Sequence, residues 1–581
     1  MKDELLITDL RCALPSNAWT DADSNVTKPM SMPSAGKWRI IDYKSTAYSG
    51  SMIWTIFPDA APIRIPLGGR TGWHAISIGM SNLPWDLIVE VRLTGDTRWD
   101  LLESCCRHVH QLEAQGSNSM LPDPQPLHEL PWKFADLTGR DLEIRYPVDR
   151  HPHQVGWDCA VFSVRATPVR IEDVPALTTR QNRRLVHGCA VLPPYYGDRF
   201  DDGAWDTVYY DHPGTDVVLW PSKIASLAGD GAWDLADNFR WQPILHEVRA
   251  MIARSEDPLQ GAIDRAHKHG KRFWMGLRPQ SWVAPPPLHQ VFRSPFFTAH
   301  PEFRCLDADG QALAQLSVAF SPVRKRLGTM LSEPIERGAD GVLISCHRGH
   351  PLVQYEAPVQ ARFKERFGAE VCGVPDTDER LQKIWSEFVT QWLRELRNLL
   401  DQAGPTALAK RRELALITGP NLEWNRRLGL DIVAWAREGL VDVVMPFPSR
   451  TPFTVAMPPW PQPGELADGL VDVPAYHAAV AGTAMQVIPC VGHYGDRFSR
   501  YGGSGISVPP RDKFLRTADC YYSAGADGLC CAEEDVALAG AGLENSDLMR
   551  LWRTHYIPPQ DNTMESMADV CMSRNPPGIG Y

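Results

Sequence analysis

Three times in the C-terminal two-thirds of this chain, a glycine is followed within three residues by an aspartate and then by a short, wholly apolar run. Gly338-Ala339-Asp340 leads into Gly341-Val342-Leu343-Ile344, Gly439-Leu440-Val441-Asp442 into Val443-Val444-Met445, and Gly525-Ala526-Asp527 into Gly528-Leu529-Cys530-Cys531. Trp205-Asp206-Thr207-Val208, ahead of two tyrosines, is a looser fourth copy. Each copy reads as a helix ending on glycine, a tight turn holding an aspartate, and a strand buried on both faces. A chain that repeats this unit is committed to parallel strands joined by helices.

Counting such strands gives 185–192, 207–211, 272–277, 341–345, 413–418, 441–446, 485–491 and 528–532. Eight strands over this span predict an α/β fold, a (β/α)8 TIM barrel with insertions. A doubly wound open sheet is the alternative. It is disfavoured because no glycine-rich phosphate-binding loop follows any strand. Residues 1–178 differ. Short strand-like runs at 37–43, 52–57, 74–78, 87–93 and 141–146 lie between Pro, Gly and Asn residues, and one helix-like stretch, 99–112, interrupts them. They predict an all-β sandwich domain over 1–178, then the catalytic barrel over 179–560 and a C-terminal tail over 561–581.

The chain has 581 residues and a formal net charge of −11, so it lacks the basic face that a nucleic-acid partner requires. No run of apolar residues is long enough to span a membrane, and the acidic start does not read as a signal peptide. Thirteen cysteines without framework spacing suggest reduced thiols, hence a soluble, cytoplasmic protein. Twenty tryptophans are more than an average chain carries. Burial accounts for about half on this reading, and the rest are candidate platforms for the faces of sugar rings.

Barrel active sites lie at the carboxyl ends of the strands, so position sorts residues before identity does. Asp340, Asp442 and Asp527 precede their strands and read as turn formers. The candidates that follow strands are Tyr196; Asp211 and His212; Arg278 and Trp282; His347 and Arg348, with Glu356 further on; Glu423 and Trp424; His493 and Tyr494; and Glu533. Two carboxyl groups, one protonated and one ionised, are what glycosidic cleavage needs. Glu356 and Glu533 are the expected pair, with the other residues binding a carbohydrate. An acidic sugar would find bidentate partners in Arg278 and Arg348. No cofactor and no metal is expected: His347 and His350 lack a third ligand, and Cys346 reads as a buried structural thiol. A lyase or isomerase using His347 or His493 as base, and a non-catalytic carbohydrate binder, are the competing readings. A homo-oligomer is left open.

Residues from about 183 to 545 resemble an uncharacterised bacterial glycoside-hydrolase-like (β/α)8-barrel group that carries an N-terminal β-sandwich. The resemblance rests on His300-Pro301-Glu302-Phe303 and its flanks, on 316–324, on Gly341 through Pro351 with Tyr355-Glu356-Ala357-Pro358, and on 388–396, while 136–141 is similar to an edge of that group's sandwich. It implies a sugar-binding role for Arg348. Ser345 stands where related barrels often carry aspartate, which shifts the expected carboxyl chemistry to Glu356, Glu533 and Asp211.

Overall fold

The computed structural model describes residues 4–15, 36–45, 48–81, 87–104, 127–147, 159–179, 181–189, 205–212, 214–229, 241–284, 289, 291–346, 351–448, 471–491, 496–498, 504–506, 511–531, 542–558 and 564–567. The chain divides into two compact units. One comprises 1–182, 497–519 and 535–581; the other comprises 183–496 and 520–534.

The first unit holds two antiparallel sheets. One runs in the order Met564–Met567, Arg39–Ser45, Ser49–Thr55, Cys159–Pro168, Trp73–Ser81, Leu127–Asp136, with Leu5–Ile7 also paired to Cys159–Pro168. The other runs Ile63–Ile65, Leu142–Arg145, Leu87–Leu93, Asp100–Ser104. Ile76, Ile78 and Val161 of the first sheet join Ile65, Val91 and Ile144 of the second in one apolar cluster. The helix expected over 99–112 is not formed where the structure describes it: Asp100–Ser104 is a strand paired with Leu87–Leu93, Leu102 lying opposite Val89. Pairing against an apolar neighbour outweighs local propensity there.

The second unit is built on a wholly parallel sheet. Its strands in chain order are Arg184–Cys189 (one), Thr207–His212 (two), Arg272–Leu277 (three), Gly341–Ser345 (four), Glu413–Thr418 (five), Val443–Pro446 (six), Gln486–Val487 with Cys490–Val491 (seven), and Gly528–Cys531 (eight). Strands one to six and strand eight pair in sequence, and strand seven lies at both ends of the order. Gln486–Val487 pairs with strand six and Cys490–Val491 with strand eight. The expected run 485–491 is split where Pro489 supplies no N–H to a ladder.

The sheet is curled. Strands one and five are four steps apart in it, about 19 Å across a flat sheet at normal strand spacing. Yet the Arg184 guanidinium donates to Glu413 at 2.9 and 2.7 Å and to Gln486 of strand seven at 2.7 Å. Trp274 of strand three donates its indole N–H to the same Glu413 at 3.1 Å. Residues from alternate strands thus meet in one layer, as inward-pointing residues do in barrels.

The repeated aspartates explain how the strand starts are fastened. The Asp206, Asp340, Asp442 and Asp527 carboxylates each accept a backbone N–H, from Leu185, Phe273, Leu414 and Val487 respectively, every one at 2.8 Å. Each aspartate returns its own N–H to the carbonyl of that same residue at 2.8–3.0 Å. The clamp therefore joins strand one to two, three to four, five to six and seven to eight at their amino ends. Gly338 and Gly525 precede their clamps at φ of 101° and 99°, where a side chain would be strained. These aspartates are structural, at the face opposite the strand ends.

Candidate functional site

Side chains alternate along a strand, so the interior of the curl can be followed to its carboxyl-end rim. Tyr209, Trp274 and Leu343 belong to the apolar cluster inside the sheet. Two residues onward on the same face stand Asp211, Gly276 and Ser345. The strand-two and strand-three backbones approach closely here. A Cβ on Gly276 would lie 2.6 Å from the Tyr210 carbonyl oxygen and 2.9 Å from the Asp211 Cα, so only glycine fits beside Asp211.

Asp211 is 1% exposed. Its Oδ2 accepts two hydrogen bonds from Arg278, at 2.9 Å from Nε and 2.7 Å from Nη2. Its Oδ1 is buried and has no hydrogen-bond partner among the described residues. A carboxylate oxygen is a strong acceptor, and leaving one unmet in a desolvated place costs free energy that a ligand donor would recover. Arg278, which an acidic sugar was expected to engage, turns this fork on Asp211.

The segment after Arg278 ties this rim to the next. Thr215 donates its hydroxyl to the Arg278 carbonyl oxygen. Gln280 donates to the carbonyls of Leu316 at 2.8 Å and Pro351 at 2.6 Å, and accepts the Trp282 indole N–H at 2.9 Å. Leu316 ends a hairpin of Arg304–Leu306 and Ala312–Leu316, and Pro351 opens the stretch that reaches Glu356. Glu356 is 1% exposed. Its carboxyl group accepts the Ser317 hydroxyl and the Gln354 N–H, the latter 3.1 Å from both oxygens. Burial pushes its pKa up to about 7, against the lowering effect of those bonds.

The other expected residues have other tasks. His212 accepts the Tyr210 hydroxyl at Nδ1, 3.0 Å, and donates Nε2–H to the Val217 carbonyl at 2.6 Å. Burial drives its pKa down to about 3, with the Arg278 charge acting the same way. The ring is neutral, one tautomer, and has no nitrogen left for a substrate. Trp282 is fully buried and cannot present a ring face to sugar. Trp424 is buried too, its ring filling the space over Gly419, where a Cβ would come within 1.9 Å of it. Glu423 is exposed in the first turn of the helix Leu422–Arg427. Tyr196, His347, Arg348, His493, Tyr494 and Glu533 lie outside the described residues.

Sequence reasoning missed two polar clusters near the strand ends. One is Gln280 with Ser317, whose residue types carry no catalytic signature. The other follows strand five: the Tyr476 hydroxyl donates to the Gly419 carbonyl, while Asn425 gives its amide to that hydroxyl and accepts the Gly419 N–H at 2.9 Å. An Asn four residues past an N-cap and a distant Tyr offer no joint signal in sequence. Among the described residues no group of three or more His, Cys, Asp or Glu side chains could hold a metal ion. No helix there is long and apolar enough to cross a membrane.

No family model and no curated protein matches this chain. Among solved structures, the glycoside hydrolase domain of PgaB from Bordetella bronchiseptica aligns over 64% of this chain and 98% of its own, at 14% identity and a TM-score of 0.38. A β-galactosidase from the psychrophilic Marinomonas ef1 aligns over 64% of this chain at 11% identity and a TM-score of 0.37; the chain spans 59% of its length. The α-galactosidase of Thermus thermophilus solved with stachyose aligns over 88% of this chain and 96% of its own, at 12% identity and a TM-score of 0.33. At such scores the likeness carries no chemistry, which has to come from the residues themselves.

Proposed function

We propose that this protein is a glycoside hydrolase whose parallel sheet closes as a (β/α)8 barrel, with the two antiparallel sheets forming a β-sandwich over 1–178. Closure is supported by strand seven, which bonds to strand six through its first half and to strand eight through its second. The shared apolar cluster supports the sandwich.

One observation carries the functional reading: the inward-facing Asp211 at the carboxyl end of strand two, ion-paired through one oxygen and, among the described residues, unmatched at the other. That arrangement suits the ionised partner of a carboxyl pair. Arg278 holds the carboxylate in one orientation, and Oδ1 is left to accept a sugar hydroxyl or to face the anomeric carbon. Glu533, two residues past strand eight in sequence, is the proposed protonated partner that delivers a proton to the leaving oxygen. Glu356 was expected to share this work, but both of its oxygens already serve local donors, which favours Asp211 in its place. The Arg278–Asp211 pair leaves no net charge, so a neutral carbohydrate fits better than a uronate. Tyr196, His347, Arg348, His493 and Tyr494 remain proposed substrate contacts.

The test is hydrolysis of a panel of neutral aryl glycosides and oligosaccharides by the wild type, Asp211→Asn and Glu533→Gln. A glycosidase of this kind turns over at least one substrate and loses about 10²–10⁴-fold in each variant. Full turnover in Asp211→Asn removes the assignment. Saturable binding without any turnover would make the chain a carbohydrate binder instead.

A further inference from the structure

The loop after strand two makes three kinds of tie within a few residues. The His212 ring closes it on the Val217 carbonyl at 2.6 Å. Thr215 reaches across to the loop after strand three: its N–H donates to the Ser281 carbonyl at 2.8 Å, and its hydroxyl donates to the Arg278 carbonyl. Asp216 turns to two other elements. Its Oδ2 accepts the Ser294 hydroxyl at 2.7 Å, and its Oδ1 lies 2.8 and 2.7 Å from Nε and Nη2 of Arg326.

Both partners of Asp216 are themselves held. Ser294 caps the helix Pro295–Ala299 by accepting the Phe297 N–H at 3.0 Å, and its own N–H donates to the Trp282 carbonyl at 2.8 Å. Arg326, in the helix Ser321–Glu336, also donates to the Ile224 carbonyl at 2.6 Å. Asp216 is 0% exposed, and its φ of 63° lies in the left-handed region. Aspartate tolerates that region better than most residues, but still at a cost. Such a conformation persists where its surroundings over-determine it. Here the ion pair and the serine do so, and the residue directly before the turn is Thr215.

The Arg278 side chain is long and rich in rotamers, so a two-point fork on one Asp211 oxygen needs a fixed main chain behind it. Thr215 supplies that fixing at the Arg278 carbonyl. We propose that Thr215 and Asp216 are positioning residues: Asp216 anchors the loop, Thr215 holds the Arg278 main chain, and Arg278 thereby keeps the Asp211 carboxylate in one orientation. This brace rests on the reading of Asp211 as the ionised catalytic group, and neither of its residues touches substrate. A misplaced carboxylate loses its fit to the transition state first, so kcat suffers more than KM.

Exchange of the Arg278 Nε–H proton with solvent, followed by nitrogen-edited NMR in the full chain and assigned by its loss in Arg278→Lys, reports the fork directly. Thr215→Val removes the hydroxyl at nearly constant volume, Thr215→Ser keeps it, and Asp216→Ala removes the acceptor for both Ser294 and Arg326. Thr215→Val and Asp216→Ala are expected to speed this exchange about tenfold or more. They should also lower kcat about 10–100-fold on a substrate that the wild type turns over, with KM changed less than about twofold. Thr215→Ser keeps wild-type exchange and kcat. A merely structural role would lower the urea midpoint and move neither readout. Unchanged exchange in Thr215→Val overturns the brace, and faster exchange with full kcat overturns its positioning role. If Asp216→Ala does not fold, the two Thr215 variants decide. A wild type that turns over no glycoside sinks the hydrolase reading, while the exchange rates still judge the brace.

Discussion

Arg184 on strand one and Glu413 on strand five form a two-point ion pair across the inside of the sheet, at 2.9 and 2.7 Å. Gln486, Thr207 and Trp274 add to it, so three further contacts, from strands seven, two and three, converge on one guanidinium–carboxylate core. The pair lies at the amino ends of the strands, away from Asp211, and its role is to hold the curl. Among the described residues, Arg184→Ala leaves Glu413 with only the 3.4 Å approach of Arg272 as a cationic neighbour. A loss of about 3–5 kcal/mol is expected, read as a lower urea midpoint. An unchanged midpoint would mean that the layer contributes nothing to closure.

Two aspartates one strand pair apart should respond to substitution in opposite ways. Asp340 accepts from Phe273 N–H, His267 and the Thr406 hydroxyl, and all its bonds are internal. Asp340→Ala strands those donors and is expected to cost about 3–5 kcal/mol, while turnover per folded molecule is kept. Asp211→Asn keeps an acceptor for Arg278, so only about 1–3 kcal/mol should be lost while turnover collapses. Denaturation curves alongside single-turnover rates separate the two. Equal losses of activity per folded molecule would contradict the division between clamp and site.

What could be seen in the sequence, and what could not, divides along the same line. The clamp aspartates were legible because a turn that needs glycine at positive φ and a short acceptor leaves the same letters each time, as at Gly338-Ala339-Asp340 and Gly525-Ala526-Asp527. Strands three, four and five match their expected bounds, since a strand buried on both faces is an unbroken apolar run. The central antiparallel strand Cys159–Pro168 was missed, although nine of its ten residues are buried, because Ser163, Arg165 and Thr167 break its apolar pattern. Arg165 is tolerated there because Glu129, from Leu127–Asp136, meets it at 2.6 Å and Glu4 at 2.9 Å, partners that no local pattern reveals. Roles at the candidate site were not legible. Trp282 and Trp424 follow strands as expected of ring platforms, yet the space over Gly419 and beside Gln280 turns both rings into the core.

That packing gives a direct check at strand five. A methyl group on Gly419 would meet the Trp424 ring at 1.9 Å, inside any van der Waals distance, and the Asn425–Tyr476 cluster closes the other side. Gly419→Ala is expected to cost about 1–3 kcal/mol or more and to shift the near-ultraviolet circular dichroism of the indole. If Trp424 instead swings out as a sugar platform, the substitution is tolerated and acrylamide quenching of tryptophan fluorescence rises.

His212 and Glu356 pull the stability of this unit in opposite directions as pH changes. His212 has its folded pKa depressed, to about 3, against an ordinary value of about 6.5. The stabilisation that comes with its neutral form is thus present above about 6.5 and is lost on acidification, by about 1.4 kcal/mol per pH unit until the folded value is reached. Glu356 has its folded pKa raised, so its stabilisation is lost in the reverse sense between about 4.3 and 7. Over the shared interval from about 4.5 to 6.5 these two slopes cancel, so together they add little to the pH dependence of the unfolding midpoint. In Glu356→Gln the histidine slope stands alone, so that variant is expected to lose stability steadily as pH falls from 6.5. Urea midpoints at half-unit steps check this, together with the His212 ring carbon-bound proton shifts, which should not move between pH 5 and 8. A His212 resonance titrating near 6.5 would show that the ring is not locked between Tyr210 and Val217.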